Sequence, residues 1–134
     1  MNEPMTHSNM SAVIKNPSAE EPLMDLTNLW SMIGENNSPM MVSFIQAFFE
    51  SVVERLMELH QAIQVGDLEA IELHAHTLKS NSRNFNAMKL AYLCEQLELA
   101  ALHGDLSHAP AQLAAIEQQY LKVKTMLDRV VAQL

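Results

Sequence analysis

Apolar residues recur every three or four positions along most of the chain, which is the period of amphipathic helices. The stripes are long, and strict alternation typical of strands is absent from them. Glycine or a capping residue interrupts the pattern at each boundary. Five helices are therefore predicted, over residues 25–33, 39–65, 68–86, 87–103 and 108–134.

Turn and capping residues support these boundaries. Ser38 is expected to cap the second helix, with Pro39 in its first turn, and Asp67 to cap the third. Ser107 is expected to cap the last helix, with Pro110 in its first turn. Glycine is expected to end three of the helices, at Gly34, Gly66 and Gly104.

Four long amphipathic helices with short links predict an all-α fold. The architecture expected is an antiparallel four-helix bundle with a short extra N-terminal helix, forming a domain over 23–134. Residues 1–22 contain three prolines and no clear period, which predicts a flexible tail or an arm that packs only in part. The alternative is an arm that binds a partner through Val13 and Ile14. On the third helix the inward stripe is Leu68, Ile71, Ala75, Leu78, Ser82 and Phe85.

Composition agrees with one helical domain. The 134 residues include only 3 glycines and 5% aromatic residues, and the formal net charge of −8 disfavours nucleic acid as a partner. The single cysteine, Cys94, cannot form an internal disulfide, which favours a reducing, cytoplasmic location. No apolar run reaches the roughly 18 residues of a membrane span, so no membrane association is expected. The N-terminus also lacks the apolar core of a secretory signal.

Charge changes sign locally on the third predicted helix. No acidic residue lies between Glu72 and Glu95, and this interval contains His76, Lys79 and Arg83. At about 100° per residue, these three side chains share one polar face, with His76 near its middle. His74 is about 200° away and is expected to be half-buried beside the core. An exposed imidazole with cations beside it can act as a nucleophile through a ring nitrogen.

Simpler interpretations of these residues remain open at this point. His76 could be a solvated surface histidine, and the two cations could pair with Glu69 and Glu72 on the same helix. A metal site is not expected, because His74 and His76 point to nearly opposite sides of a helix. His103 and His108 straddle a turn without a supporting ligand set. Nothing in the chain supplies a carboxylate cluster for Mg²⁺ or a nucleophile–base pair typical of hydrolases.

The run around His76 resembles a known motif. His76 to Ser82 reads HTLKSNS, and it is followed by Phe85-Asn86-Ala87 and by Leu90. This pattern resembles the histidine phosphotransfer (HPt) domains of bacterial phosphorelays, whose usual motif is His-x-Leu-Lys-Gly-Ser/Ala followed by a second Gly-Ala. The segment Leu93–Glu98 and the Gly104-Asp105 pair also look like that family. Ser80 stands where the family usually has glycine, and Asn86 replaces the second glycine as the helix-ending residue.

The resemblance implies a function for the named residues. His76 would accept a phosphoryl group, Lys79 would balance its charge, and Leu73, Ser80 and Arg83 would contact the partner. The expected donor is a sensor histidine kinase, of the hybrid type, or a receiver-domain aspartate, and the acceptor is the receiver domain of a response regulator. The resemblance implies a stand-alone, monomeric phosphocarrier without a cofactor, whose catalytic groups and Mg²⁺ come from the partner, and not an enzyme. The competing hypothesis is a docking adaptor that binds receiver domains without transferring phosphate.

Overall fold

A computed structural model describes residues 13–15, 22–34 and 36–134 of the chain. It confirms the predicted all-α fold, in which four long helices form the bundle and a short helix precedes them. The helices are α1 Thr27–Ile33, α2 Ser38–Val65, α3 Leu68–Asn84, α4 Met88–Leu102 and α5 Ala109–Gln133. No helix in the described part of the chain is long and apolar enough to cross a membrane.

The core lies where the apolar stripes of the four long helices meet. Ile45 and Leu59 on α2, Ile71 on α3 and Leu97 on α4 are fully shielded from solvent. Each such side chain stabilises the fold by about 1.5–3 kcal/mol through burial. The α3 and α4 helices pack most extensively against each other. This close pairing allows side chains from α3 and α4 to meet at the bundle surface.

Two of the predicted caps are wrong. The side chain of Asn37, not Ser38, caps α2 by accepting a hydrogen bond from the Met40 N–H at 3.2 Å. The backbone N–H and the hydroxyl of Ser107 both donate to the Asp105 carboxylate, at 3.1 and 2.6 Å, so Ser107 tightens the α4–α5 turn and does not cap α5. Asp67 does cap α3, by accepting from the Ala70 N–H at 3.1 Å.

The inward stripe predicted for α3 is buried except at its first position. Leu68 is exposed, because it lies in the first turn of α3 at the end of the bundle. The other five positions, Ile71, Ala75, Leu78, Ser82 and Phe85, are buried. The hydroxyl of Ser82 donates to the Leu78 carbonyl at 2.7 Å, which satisfies the buried polar group within the helix.

A short antiparallel hairpin precedes α1 and was not anticipated from the helical pattern. Strand β1 (Val13–Lys15) pairs with β2 (Pro22–Asp25). Ile14 is buried with the apolar residues of β2, so it is unavailable for the partner-binding role considered above. The remaining residues of the predicted tail, 1–12 and 16–21, lie outside the described residues.

Candidate functional site

His76 lies in the middle of α3, on the side of the helix opposite the buried stripe. Its side chain is 56% exposed, whereas Ala75 and Leu78 beside it in sequence are buried. The helical period explains the contrast, because one residue of α3 turns the side chain by about 100°. The imidazole is therefore held by a rigid helix and remains open to a partner.

Glu98 on α4 connects His76 to Lys79. One carboxylate oxygen, Oε2, lies 2.7 Å from His76 Nδ1, and the other, Oε1, accepts a hydrogen bond from Lys79 Nζ at 2.6 Å. The side chains of Lys79 and Glu98 are only 12% and 14% exposed. The helical layout predicted that Lys79 would lie on the exposed face with Arg83. In the structure its side chain is instead largely buried and paired with Glu98. Its position three residues after His76 directs it toward α4, where Glu98 neutralises its charge.

The ionisation of Glu98 determines which nitrogen of His76 carries the proton. Burial tends to raise the pKa of Glu98, but hydrogen bonds from Lys79 and His76, with their charges, hold this pKa below its ordinary value. The carboxylate is therefore ionised at neutral pH and can only accept hydrogen bonds. His76 Nδ1 must then donate, so in the neutral imidazole Nε2 carries the lone pair. Nε2 has no hydrogen-bond partner among the described residues.

The surface around His76 is acidic on one side. A shallow depression next to the imidazole is lined by Asp67, Glu69, Ala70, Glu72, Leu73 and Glu98. Leu73 contributes an exposed apolar side chain to it. Ser80 and Arg83 are also exposed, one and two turns farther along α3. The residues predicted to contact a partner thus all reach solvent, and they flank the imidazole along the helix.

His74 has different surroundings. Its Nδ1 lies 3.2 Å from Nη1 of Arg55 on α2, and its Nε2 lies 4.0 Å from the Glu58 carboxylate. Because a guanidinium can only donate, Nδ1 of His74 accepts this hydrogen bond. The side chain is largely buried between α2 and α3, as the sequence predicted, and it is not among the residues that line the acidic depression.

Asn86 adopts the left-handed conformation just after α3, with a φ of 49°. The Ala87 N–H donates to the Ser82 carbonyl at 2.9 Å, which closes the last turn of α3. The Asn86 side-chain amide donates to the Asp25 carbonyl at 3.2 Å, and the Asp25 N–H donates to the Phe85 carbonyl at 3.1 Å. Asn86 therefore joins the end of α3 to the N-terminal hairpin.

Two other residues considered from the sequence take no part in the site. Cys94 is fully buried, and burial together with the charge of Glu98 raises the pKa of its thiol to about 12, so the thiol stays protonated. Within the described residues, no group of three or more His, Cys, Asp or Glu side chains could hold a metal ion.

Glu98 is the residue in contact with His76 and Lys79 that sequence reasoning did not assign. Its signal was present in the helical register, since Cys94, Leu97 and Ala101 are buried on α4 and Glu98 borders this stripe. An antiparallel α3–α4 pair places one edge of that stripe beside the polar face of α3. Glu98 is 22 residues from His76 in sequence, and whether the two side chains meet depends on the register in which α4 packs along α3.

Comparisons with known proteins agree with this geometry. The family model of the Hpt domain matches residues 43–133. The crystal structure of histidine-containing phosphotransfer protein B (HptB) from Pseudomonas aeruginosa PAO1 is similar to this chain, with a TM-score of 0.78 and 29% sequence identity. The similarity covers 86% of this chain and 99% of that one. No significant match is found among curated proteins.

Proposed function

The chain belongs to the Hpt domain family of histidine phosphotransfer proteins, and on that premise we propose that His76 is the residue that carries the phosphoryl group. The observation that carries this proposal is the bond between His76 Nδ1 and the Glu98 carboxylate at 2.7 Å. It holds the half-exposed imidazole on the helix surface through Nδ1, and Nε2 has no hydrogen-bond partner among the described residues. His74 lacks this access, because it is largely buried against Arg55.

The proposed reaction is an in-line exchange between nitrogen and oxygen. The lone pair of His76 Nε2 attacks the phosphorus of an aspartyl phosphate on a receiver domain. The P–N bond forms while the P–O bond breaks, and the electron pair leaves with the aspartate carboxylate. His76 keeps its Nδ1 proton and becomes cationic, and the ionised Glu98 stabilises this cation. The reverse reaction passes the phosphoryl group to a second receiver.

Lys79 acts in this scheme first through Glu98. The Lys79–Glu98 ion pair at 2.6 Å fixes one carboxylate oxygen, which leaves the other aligned with His76. Lys79 also compensates the negative charge that would otherwise face the incoming phosphoryl group. Charge balance at the phosphorylated histidine is thus shared among Lys79, Glu98 and the more exposed Arg83.

Leu73, Ser80 and Arg83 are proposed to contact the receiver domain. Leu73 offers apolar surface beside the imidazole, and the small side chain of Ser80 lets a partner approach closely. Arg83 adds a positive charge on the same face, suited to the acidic phosphorylation site of a receiver.

The proposed donor is a sensor kinase or its receiver domain, and the proposed acceptor is a response regulator. The partner supplies Mg²⁺. The chain then acts as a phosphocarrier.

Phosphoryl transfer from a labelled donor tests this proposal. Receiver domains from the same organism, loaded with radiolabelled phosphate by their kinases, are mixed with wild-type, His76→Ala and His74→Ala proteins. Acid-labile, base-stable label should appear in the wild type and in His74→Ala, and should be lost in His76→Ala. Label that persists in His76→Ala would refute the assignment. Receiver binding without any label on the wild type would instead support the adaptor hypothesis.

A further inference from the structure

A second exposed surface lies along α2. Phe49, Val53 and Met57 lie at every fourth position of this helix and line a shallow depression together with Glu50 and Glu54. Val53 and Met57 are more than half exposed. Exposed apolar side chains grouped on one face of a helix can contribute to an interaction site, although this group is small.

Leu121 extends this surface onto α5. The α2–α5 contact is fixed by Lys124 Nζ, 4.9 Å from the Phe49 ring centroid, and by the pair of His60 and Glu117 at 3.2 Å. Leu121 lies one turn from both Glu117 and Lys124, so it shares their side of α5. Its exposed side chain therefore borders the α2–α5 contact, and the four apolar residues form an apolar seam, namely Phe49, Val53, Met57 and Leu121.

Opposite charges line the two sides of the apolar seam. Glu50 and Glu54 lie on the outer side of α2, and Lys122 and Arg129 lie on the outer side of α5. All four are exposed, and none forms an ion pair within the described part of the chain. The α2 side of the apolar seam is thus acidic, whereas the α5 side carries the cations Lys122 and Arg129 beside the Lys124–Asp128 ion pair at 2.8 Å.

We propose that this face binds a second copy of the chain. A two-fold axis parallel to the apolar seam would place α2 of one copy against α5 of the other, with the apolar seams in contact. Glu54 would then face the partner's Lys122, and the same pair would recur by symmetry. A partner with one sign of charge would be attracted by one side and repelled by the other, whereas a second copy complements both.

This dimer would leave the phosphorylation site open. His76 is directed to α4 through Glu98, whereas the proposed contact uses α2 and α5. The apolar seam spans only about 12 Å of α2, or eight residues at 1.5 Å each, so the association is expected to be weak. The proposal departs from the monomer expected from the sequence, and it does not depend on the function of His76.

Sedimentation equilibrium of the full chain between about 10 µM and about 1 mM tests the proposal. The apparent mass should rise from 15.0 kDa toward twice that value as concentration increases. Leu121→Asp should abolish the rise, whereas Leu102→Asp on α4 should not, although the two leucines are equally exposed at 60% and 59%. Circular dichroism checks that both variants fold.

Charge reversal tests the predicted orientation. Glu54→Lys and Lys122→Glu should each weaken the dimer by about tenfold, since each replaces two attractive contacts by two repulsive ones. The double variant should recover most of the wild-type association.

A chain that stays at 15.0 kDa at every concentration would overturn the proposal and assign the face to a different protein. Dimers that persist in Leu121→Asp, or a double variant no better than the singles, would also overturn it. His76→Ala should dimerise like the wild type, and Leu121→Asp should still accept phosphate.

Discussion

Replacing Glu98 with glutamine separates the charge of this residue from its shape. The carboxylate serves two donors at once, through Oε2 to His76 and Oε1 to Lys79. Glutamine has one accepting oxygen and an amide nitrogen that can only donate. With its oxygen on Lys79, its amide can donate to His76 Nδ1 only in the tautomer that puts the ring proton on Nε2, the nitrogen proposed to attack. It also cannot stabilise the imidazolium that forms when Nε2 is phosphorylated.

The size of the effect follows from these contacts. A hydrogen bond to a charged group contributes about 1.5–3 kcal/mol and a neutral one about 0.5–1.5 kcal/mol. The bond to the ionised Glu98 is already charge-assisted when the imidazole is neutral, and phosphorylation adds an ion pair to it, for which we expect a further stabilisation of about 1–1.5 kcal/mol. Since about 1.4 kcal/mol corresponds to a factor of ten, Glu98→Gln should slow phosphoryl uptake by roughly tenfold. Glu98→Ala should slow it further, because nothing then orients the ring.

The assay is rapid-quench transfer from a phosphorylated receiver domain under single-turnover conditions. Saturating receiver concentrations separate docking from transfer, and the change should appear in the transfer rate and not in receiver binding. Glu95→Gln is the matched control. It removes the same charge from α4 one turn earlier, and Glu95 forms no ion pair within the described residues. Its transfer rate should stay within about twofold of the wild type, since exposed or half-exposed charges contribute little.

Two results would refute this reasoning. Wild-type transfer in Glu98→Gln would mean that Glu98 neither fixes the His76 tautomer nor stabilises the phosphorylated ring. Equal losses in Glu98→Gln and Glu95→Gln would show a general effect of charge on docking, with no special role for the bond to His76.

Further predictions concern stability. Because the folded pKa of Glu98 lies below its ordinary value of 4.5, its ion pair stabilises the native state above that pH, and this stabilisation is lost as pH falls through the folded pKa. In urea titrations at pH 7, the free energy of unfolding should therefore be about 1–2 kcal/mol higher for the wild type than for Glu98→Gln, and this difference should disappear in acid. A difference independent of pH would contradict this. At Asn86, with φ of 49°, valine should lower the free energy of unfolding by about 2 kcal/mol through backbone strain and loss of the bond to Asp25, whereas glycine should cost less than about 1 kcal/mol. Equal losses for the two variants would exclude strain as the cause.

The helices could be predicted because their information is local. The apolar period and the glycines, with the Asp67 cap of α3, predicted four long helices whose observed ends differ from the prediction by two residues or fewer. The separation of His76 from His74 followed from the same period. The hairpin before α1 could not be predicted this way, since its strands have only three and four residues and are held by contacts to Phe85 and Asn86, some 60 residues away. A single period carries no information about such long-range pairing.

The role of Lys79 shows where the local argument stops. Its helical position alone places it three residues after His76 on the polar face, which would leave it exposed. The α4 helix changes the outcome, because Glu98 offers a carboxylate in a largely buried position that is costly unless it is paired. Lys79 is the cation within reach, and its long aliphatic stem can cross the α3–α4 boundary. Glu98 in turn needs a second donor for its other oxygen, and His76 Nδ1 supplies one. The proposed nucleophile, His76, is therefore oriented by the need to satisfy a carboxylate on the neighbouring helix, which only the packing of α3 against α4 makes visible.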